Sequence, residues 1–203
     1  MRQGSNVAEQ APLNRERIVE AALALLDETG LDGLSTRRLA ADLGIKSASL
    51  YWHFSNKDEL LDAMCSALFD ECLDIIDTGR QNFNWRKWLA GGTRGIRRTA
   101  LSRRDGARVM ARVRPVGEAS ARRIEANTAF LQSIGLTYEE STYALLALRR
   151  YAVGSALQEQ VYAAVGQAAT QDESEASFEY GLSLILDGLA SRFSPLEFTP
   201  PEK

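Results

Sequence analysis

GLSTRRLAADLGIKSASLYWHFSNKDELLDAM, residues 33–64, is the segment that decides the fold, because two short helical patterns meet in it at one glycine. Ser35 is placed to cap the first pattern, in which Leu39 and Leu43 face inward. Gly44 ends that pattern at a position suited to a left-handed residue. Two short helices joined by a tight turn are typical of a helix-turn-helix.

The second pattern follows Gly44, with Ser47 as the expected cap and with Leu50 and Phe54 facing inward beside Ile45. A further helix is predicted from SNKDELLDAM, residues 55–64. We expect Ser55 to cap it and Glu59 to complete a capping box. The sequence predicts that this helix continues to about residue 77 and leads out of the unit.

A longer amphipathic helix comes before these elements, in NRERIVEAALALLDETG, residues 14–30. Ile18, Ala22 and Leu25 follow helical spacing, Asn14 can cap the start, and Gly30 can end the helix. Three helices therefore fill about fifty residues and predict a small DNA-binding domain over residues 13–62.

The side chains between these inward positions must point outward, and their types suit a DNA duplex. Small residues let a helix enter the major groove, hydroxyl groups donate to phosphates, and an arginine can make two bonds to guanine. The predicted outward residues are Thr36, Arg37, Lys46, Ser47, Ser49, Tyr51 and Trp52. The alternative is that the rings at 51–53 only pack a short helix, but three successive rings cannot all face one way.

Composition limits the classes of function. The 203 residues carry a net charge of −3, yet residues 34–57 hold four cations and one acid. The only histidine is His53, and no nucleophile elbow, zinc motif or dinucleotide fingerprint occurs, so neither an enzyme nor a metal or other cofactor is expected. Cys65 and Cys72 are interpreted as packed hydrophobic residues, with a redox sensor as the alternative.

No run is apolar enough for a membrane span or a secretion signal, so we expect a cytoplasmic protein.

Helical patterns continue over residues 85–100, 106–112, 117–133, 137–165 and 178–193, and no alternation of polar and apolar residues demands a strand. Thr137 and Glu140 predict another capping box, whereas residues 166–175 are polar and are expected to form a mobile loop. The fold class is therefore all-α, with a disordered arm at 1–12 and a proline-rich tail at 196–203.

These residues resemble the TetR family of bacterial regulators. The segment TRRLAADLGIKSASLYWHFSNKDELL matches that family's DNA-binding signature, and LSRRDGARVMARVRP and FEYGLSLILDGL extend the resemblance to the tetracycline-repressor branch, to about residue 193. The signature residues in register are Thr36, Arg37, Gly44, Tyr51, His53, Phe54, Lys57 and Leu60. The resemblance implies a larger C-terminal helical domain, residues 63–195, for ligand binding and dimerisation.

The resemblance also implies roles for individual residues. Thr36 and Tyr51 would contact the backbone or bases, and His53 and Lys57 would hold phosphates. Sequence would be read by Arg37 together with Lys46, Ser47, Ala48 and Ser49. Trp52 joins this DNA-binding set through its expected exposure.

A homodimer is expected on a palindromic operator, because twofold readers are the rule for this motif. Its predicted interface uses two amphipathic helices and their copies in a second chain. The residues proposed for it are Leu145, Leu148, Ala152, Ala156, Leu182, Ile185, Leu186 and Leu189, with Gly154, Gly181 and Gly188 allowing close approach. Packing within one chain is the alternative.

A small-molecule inducer is implied as well. The predicted pocket residues are Leu73, Gly92, Ile96, Met110, Val113, Asn127 and Gln158. The histidine and the carboxylate of the related metal site are replaced by Met110 and Gln158, which are poor ligands for magnesium. We therefore expect an apolar pocket without a metal, occupied by a mainly hydrophobic organic molecule.

Residues 94–114 contain eight arginines and one acid. This basic segment could receive an anionic ligand, or it could simply place charge on outer helix faces. GGTRG, residues 91–95, lacks the strand that precedes a phosphate loop, so its glycines are interpreted as making room for a cavity or a helix. The resemblance favours a ligand-responsive repressor; the alternatives are an activator, a non-sensing regulator of the same fold, or a protein-binding module.

Overall fold

A computed structural model describes residues 13–72, 84–112 and 118–192, and every regular element in these ranges is an α-helix. The predicted all-α class is confirmed. The helices are α1 Arg15–Gly33, α2 Thr36–Asp42, α3 Ser47–Leu50, α4 Lys57–Glu71, α5 Trp85–Leu101, α6 Gly106–Arg112, α7 Glu118–Ser133, α8 Tyr138–Ala164 and α9 Gln171–Ala190. Within the described ranges, none of these helices is long and apolar enough to cross a membrane.

Several predictions fall outside the described residues. These are the arm at 1–12, the tail at 196–203, the continuation of α4 beyond residue 72, and the pocket residues Leu73 and Val113.

The N-terminal caps of α1 and α2 are the predicted ones. Asn14 accepts a hydrogen bond from the backbone N–H of Arg17 at 2.9 Å, and Ser35 accepts one from Arg38 at 3.2 Å. Gly30 and Gly44 have φ values of 71° and 66°. A side chain would be strained at both glycines, and the backbone of α1 turns out of its helical path at the first.

Two predicted caps are wrong. Lys46 precedes α3 and makes no side-chain cap, so Ser47 is already the first helical residue. Asn56 caps α4 in place of Ser55: its Oδ1 accepts the backbone N–H of Glu59 at 2.8 Å. The Glu59 carboxylate then accepts the backbone N–H of Ser55 at 2.7 Å. Adjacent residues that are both good caps cannot be ranked by type alone.

The start of α9 also differs from the prediction. Thr170 and Glu173 form a capping box, with the threonine hydroxyl accepting the Glu173 N–H at 3.3 Å, so helix begins inside the polar segment 166–175. The first turns of α9 are almost entirely exposed and carry no apolar stripe. The box between Thr137 and Glu140 is confirmed at the start of α8.

Two hydrophobic clusters form the interior. The first joins α1–α4 to α6 and to part of α8, and the second joins α5, α7, α8 and α9. Residues of α4 such as Met64 and Leu68 are fully buried in the first cluster. The helix α4 therefore crosses the proposed boundary at residues 62 and 63 and ties the small N-terminal unit to the rest.

Candidate nucleic-acid interface and ligand cavity

A small core holds α2 and α3 in place. Leu39, Leu50 and Phe54 are buried, while Leu43 and Ile45 are partly buried against the same cluster. This is the inward set that the sequence predicts. The opposite sides of α2 and α3 are consequently turned away from the interior.

The outward residues form one exposed surface around α2 and α3. Tyr51 is 55% exposed and Trp52 is 90% exposed, so packing does not account for these two rings. Arg37, Lys46, Ser47, Ala48 and Lys57 are exposed, and Thr36, Ser49 and His53 are half-buried. The predicted exposure is thus confirmed for most of the set, and contact with DNA stays a prediction for all of it. We call these ten residues the reading surface.

Arg15 stabilises the turn between α3 and α4, a role that the sequence did not indicate. Its guanidinium donates to the backbone oxygen of His53 and, at 2.9 Å, to Glu59. It also lies 4.1 Å from the centre of the Phe54 ring. The pKa of Glu59 is lowered, first by the hydrogen bond from the Ser55 backbone and then by the bond from Arg15. These contacts fix the position of His53 and the start of α4.

A cavity of about 280 Å³ lies among α4, α5, α7 and α8, at the end of α4 farthest from the reading surface. It is slightly smaller than the roughly 300–1,000 Å³ usual for ligand pockets. Its lining residues are Phe69, Cys72, Trp88, Leu89, Gly92, Thr93, Ile96, Arg123, Ile124, Asn127, Thr128, Thr142, Leu145, Leu146, Leu148 and Arg149.

Three of the predicted pocket residues, Gly92, Ile96 and Asn127, line this cavity together. Met110 and Gln158 do not. The Met110 side chain is fully buried in the first cluster, and Gln158 is exposed, with its amide donating to the Tyr162 hydroxyl at 3.3 Å. Met110 lies on α6, which contributes none of the described lining residues, and Gln158 lies on α8 beyond the turns that line the cavity. Their assignment as ligand contacts is not supported within one chain.

The cavity contains two arginines that the sequence analysis missed. Arg123 on α7 bonds Asp70 of α4 at 2.6 Å, and Arg149 on α8 lies 4.8 Å from the ring centre of Phe69. None of the described residues that line the cavity is an aspartate or a glutamate. The described residues also contain no group of three or more acidic, cysteine or histidine side chains that could hold a metal ion. The 3.6-residue period shows which face is apolar, but does not show which arginine stem reaches inward.

Cys65 and Cys72 are both buried, as expected for packed hydrophobic residues. The Cys72 thiol donates to the backbone oxygen of Leu68 at 3.1 Å. Burial raises the pKa of this thiol. The Cys72 side chain therefore belongs to the cavity wall as a protonated, weakly polar group.

The basic segment at residues 94–114 forms ion pairs between helices. On α5, Arg94 makes two 2.6 Å bonds to Glu179 of α9, and Arg97 bonds Glu159 of α8 at 2.8 Å. Closer to the N-terminal unit, the pairs are Arg103 with Asp27 and Glu71, Arg108 with Asp32, and Arg112 with Asp58. Arg103, Arg108 and Arg112 therefore connect the C-terminal helices to α1 and α4. The paired arginines of this segment do not form an open anion site.

Most of the predicted dimer residues need correction, although the predicted Gly154 and Gly188 are exposed. Leu148, Ala152, Ala156, Leu182 and Leu186 are buried within a single chain, where they fill its core. A different face of α8 and α9 remains exposed, and we call it the outer face. Its residues at helical spacing are Tyr143, Gly154 and Val161 on α8, Val165 directly after α8, and Tyr180, Leu184 and Gly188 on α9.

Comparison with known proteins gives two family matches. Residues 18–64 match the bacterial regulatory proteins of the tetR family, and residues 78–169 match the tetracyclin repressor-like C-terminal domain. The tetracycline repressor protein class C of Escherichia coli is 35% identical, covering 87% of this chain and 90% of that protein. The class A repressor from transposon 1721 of Escherichia coli is 36% identical, covering 89% of this chain and 92% of that protein.

Solved structures give the same relationship. A TetR variant from Acinetobacter baumannii AYE, in complex with minocycline, superposes with a TM-score of 0.81 at 35% identity, over 90% of this chain and 99% of that chain. A class A TetR in complex with 5a,6-anhydrotetracycline and magnesium gives a TM-score of 0.74 at 39% identity, over 89% and 99%.

Proposed function

Because this chain belongs to the TetR family of bacterial regulatory proteins, we propose that it is a ligand-responsive repressor that binds a palindromic DNA operator as a homodimer. A small, mainly apolar organic molecule releases it from DNA. The observation that carries this proposal is the arrangement of α4, which has the reading surface near its first turn and the cavity at its last.

Residues 13–62 are the proposed DNA-binding domain, and residues 63–195 the proposed ligand-binding and dimerisation domain. In the first, Arg37 and residues 46–49 contact base edges, since their side chains are at the exposed side of α2 and α3. Thr36, Tyr51, Trp52, His53 and Lys57 contact the backbone and adjacent bases.

The outer face supports the proposed dimer. Tyr180 and Leu184 are large apolar side chains that stay more than half exposed on α9. A Cβ added at Gly154 or Gly188 would meet nothing within 4 Å in one chain. Two copies of this face can therefore pack closely as a four-helix interface and set two reading surfaces at a fixed spacing.

The inducer acts through α4 because the last described turn of this helix forms part of the cavity wall. Phe69 and Cys72 line the cavity, and Glu59 at the other end is bonded to Arg15 beside the reading surface. A ligand that prefers one position of α4 shifts the balance between DNA-binding and released arrangements. A ligand with equal affinity for both arrangements would leave DNA binding unchanged.

Tetracycline bound to magnesium is not the proposed inducer. The described residues that line the cavity include no histidine or carboxylate, and Met110 and Gln158, which replace the two metal-site residues implied by the resemblance, do not line it. Isothermal titration with magnesium and tetracycline is expected to show no binding. Tight binding that depends on the metal would contradict this part of the proposal.

A gel-shift assay tests the function directly. DNA fragments selected by the purified protein should share a palindrome, and one compound from an apolar ligand library should release the protein from it. A palindrome with no releasing compound would favour the non-sensing alternative. A reporter assay in a strain that lacks this protein distinguishes a repressor from an activator. Expression of the target gene should rise if the protein is a repressor and fall if it is an activator.

A further inference from the structure

The threonine side chains in the cavity wall are of two kinds. Thr93 of α5 and Thr142 of α8 each donate their hydroxyl to their own helix, to the backbone oxygens of Leu89 at 2.7 Å and Tyr138 at 2.9 Å. Thr128 of α7 lines the same cavity and is only 2% exposed. Its hydroxyl makes no hydrogen bond within the described ranges. This group is therefore available to a molecule in the cavity.

The preceding residue on α7 is in the same condition. Asn127 also lines the cavity, and its half-buried amide has no hydrogen-bond partner among the described residues. Successive residues on a helix point about 100° apart, so the two side chains reach the cavity from either side of α7. Buried polar groups are normally hydrogen-bonded. Two unsatisfied neighbours, which we call the α7 pair, therefore mark a place for a polar atom of the ligand.

The other described helices around the cavity contribute mainly apolar surface. Trp88 and Ile96 come from α5, Phe69 from α4, and Leu145 and Leu148 from α8. Aromatic side chains pack well against another flat ring in offset or edge-to-face arrangements. The cavity of about 280 Å³ suits a body of about two rings, whose polar group would lie at the α7 pair.

We propose that the inducer is a flat, apolar aromatic molecule with a ketone-type carbonyl group, and that the α7 pair holds the carbonyl oxygen. This oxygen has two lone pairs, and the Thr128 hydroxyl and the Asn127 amide nitrogen can each donate one hydrogen bond to it. The inducer assigned here rests on the proposed function, because it occupies the same cavity.

Two neutral probes test the carbonyl requirement. 1-Acetonaphthone and 1-ethylnaphthalene share one skeleton, and the first has a carbonyl group where the second has a methylene group. Equilibrium dialysis gives the dissociation constant of each probe with the full-length protein and with Thr128→Val, Asn127→Leu and Thr142→Val. The last variant is the matched control, since it removes a cavity hydroxyl that already bonds the backbone of Tyr138.

Thr128→Val and Asn127→Leu should each weaken the binding of the ketone about three- to tenfold, which is the usual contribution of one hydrogen bond. The hydrocarbon should bind both variants as tightly as the unmodified protein, or slightly more tightly. Thr142→Val should change the affinities of the two probes by the same factor. If Asn127→Leu does not fold, as judged by circular dichroism, the comparison in Thr128→Val still decides.

Undiminished ketone binding in either folded variant of the α7 pair would overturn the proposal, and so would equal losses of both probes. Binding of the hydrocarbon without the ketone would overturn it as well. In all three cases an apolar inducer cavity would remain. Binding of neither probe to the unmodified protein would instead overturn the apolar site of the proposed function.

The melting temperature of Thr128→Val provides an independent test without any ligand. Because the Thr128 hydroxyl is buried and has no partner in the described structure, its removal should leave the melting temperature unchanged or raise it. A threonine with a purely structural role would give the opposite result. A decrease of more than about 3 °C would show that the hydroxyl is already satisfied in the free protein, which would contradict its assignment to a ligand.

Discussion

The reading surface is built from side chains that contribute little to the interior of the protein. Arg37 and Tyr51 are exposed, and the buried residues of α2 and α3 are Leu39, Ala40 and Leu50. Exchange of an exposed side chain away from special backbone positions changes stability by only about 0.5 kcal/mol. Binding and folding can therefore be separated at these two positions.

Arg37→Ala and Tyr51→Ala should each weaken operator binding by about tenfold or more, since a good base contact is worth roughly 1–3 kcal/mol. The melting temperature should change by less than about 3 °C. Gel shift and thermal unfolding measure the two effects, with Arg98→Ala, an exposed arginine on α5, as the control. Retained operator affinity in both variants would favour the protein-binding alternative for this surface.

Asp105 provides a second test at the level of one residue. One carboxylate oxygen accepts the backbone N–H of Leu31 at 2.8 Å, and the other accepts from Arg108 at 3.3 Å. Its φ of 56° is unfavourable for a residue with a side chain, although aspartate and asparagine tolerate it better than most. Gly30 gives the carboxylate room, because a Cβ there would lie 2.8 Å from it.

Asp105→Ala should reduce the free energy of unfolding by about 1–3 kcal/mol, because it leaves the Leu31 N–H without its acceptor at an unfavourable φ. Asp105→Asn should lose less, since an amide oxygen can still accept from Leu31 and asparagine tolerates the backbone. Urea unfolding of the three proteins gives the comparison. Equal losses in both variants would mean that the charge on Asp105 matters more than its hydrogen bond to Leu31.

At the scale of helices, the sequence predicts the existence of elements better than their ends. Gly30 and Gly44 were identifiable because a left-handed position strongly favours glycine. The start of α9 could not be identified from the sequence, because the first turns of this helix are exposed. The residues of its capping box, which begins at Thr170, resemble those of an ordinary polar loop. The cavity was predictable only at Gly92, Ile96 and Asn127, since the directions of Met110 and Arg123 depend on how α6 and α7 pack.

The contact between α5 and α9 should depend on pH. Two bonds from Arg94 lower the pKa of Glu179 below its ordinary value of 4.5. A lowered carboxyl pKa contributes stability that is fully present above the unfolded value and is lost as the pH falls through the folded value. Both side chains are partly exposed, so solvent screening limits the contribution to about 0.2–1 kcal/mol.

Glu179→Gln should therefore be less stable than the unmodified protein at pH 7 by about 0.2–1 kcal/mol, with the difference shrinking as the pH falls below 4.5 and through the lowered pKa of Glu179. Chemical denaturation at several pH values measures it, with Glu125→Gln on α7 as an exposed control. A difference between the two proteins that persisted at low pH would show that packing, and not the ion pair, is responsible.

At the scale of the whole molecule, ion pairs connect parts of the chain that are far apart in sequence. Arg103 pairs with Asp27, 76 residues away, and Arg108 pairs with Asp32 at the same separation. The sequence showed the excess of arginine but not these partners, since such pairs depend on the tertiary fold. The same limit affected the dimer prediction, because α8 and α9 each have two apolar faces and periodicity does not say which is covered by the same chain.

The exposed outer face allows the proposed dimer to be tested with a single substitution. Leu184 is 55% exposed in one chain and has Tyr180 and Gly188 one turn away on either side. In the proposed dimer Leu184 is covered by the second copy, so Leu184→Arg would bury two unpaired charges across the twofold axis. Light scattering coupled to size exclusion should show a dimer for the unmodified protein and a monomer for this variant.

The same variant should bind an operator half-site with unchanged affinity and the full palindrome much more weakly, because the two reading surfaces would no longer be linked. Tyr138→Arg is the matched control: it replaces another exposed apolar side chain, in the first turn of α8 and away from the outer face. It should remain dimeric and bind the palindrome normally. A dimeric Leu184→Arg protein would place the interface elsewhere, whereas a monomeric unmodified protein would contradict the twofold operator itself.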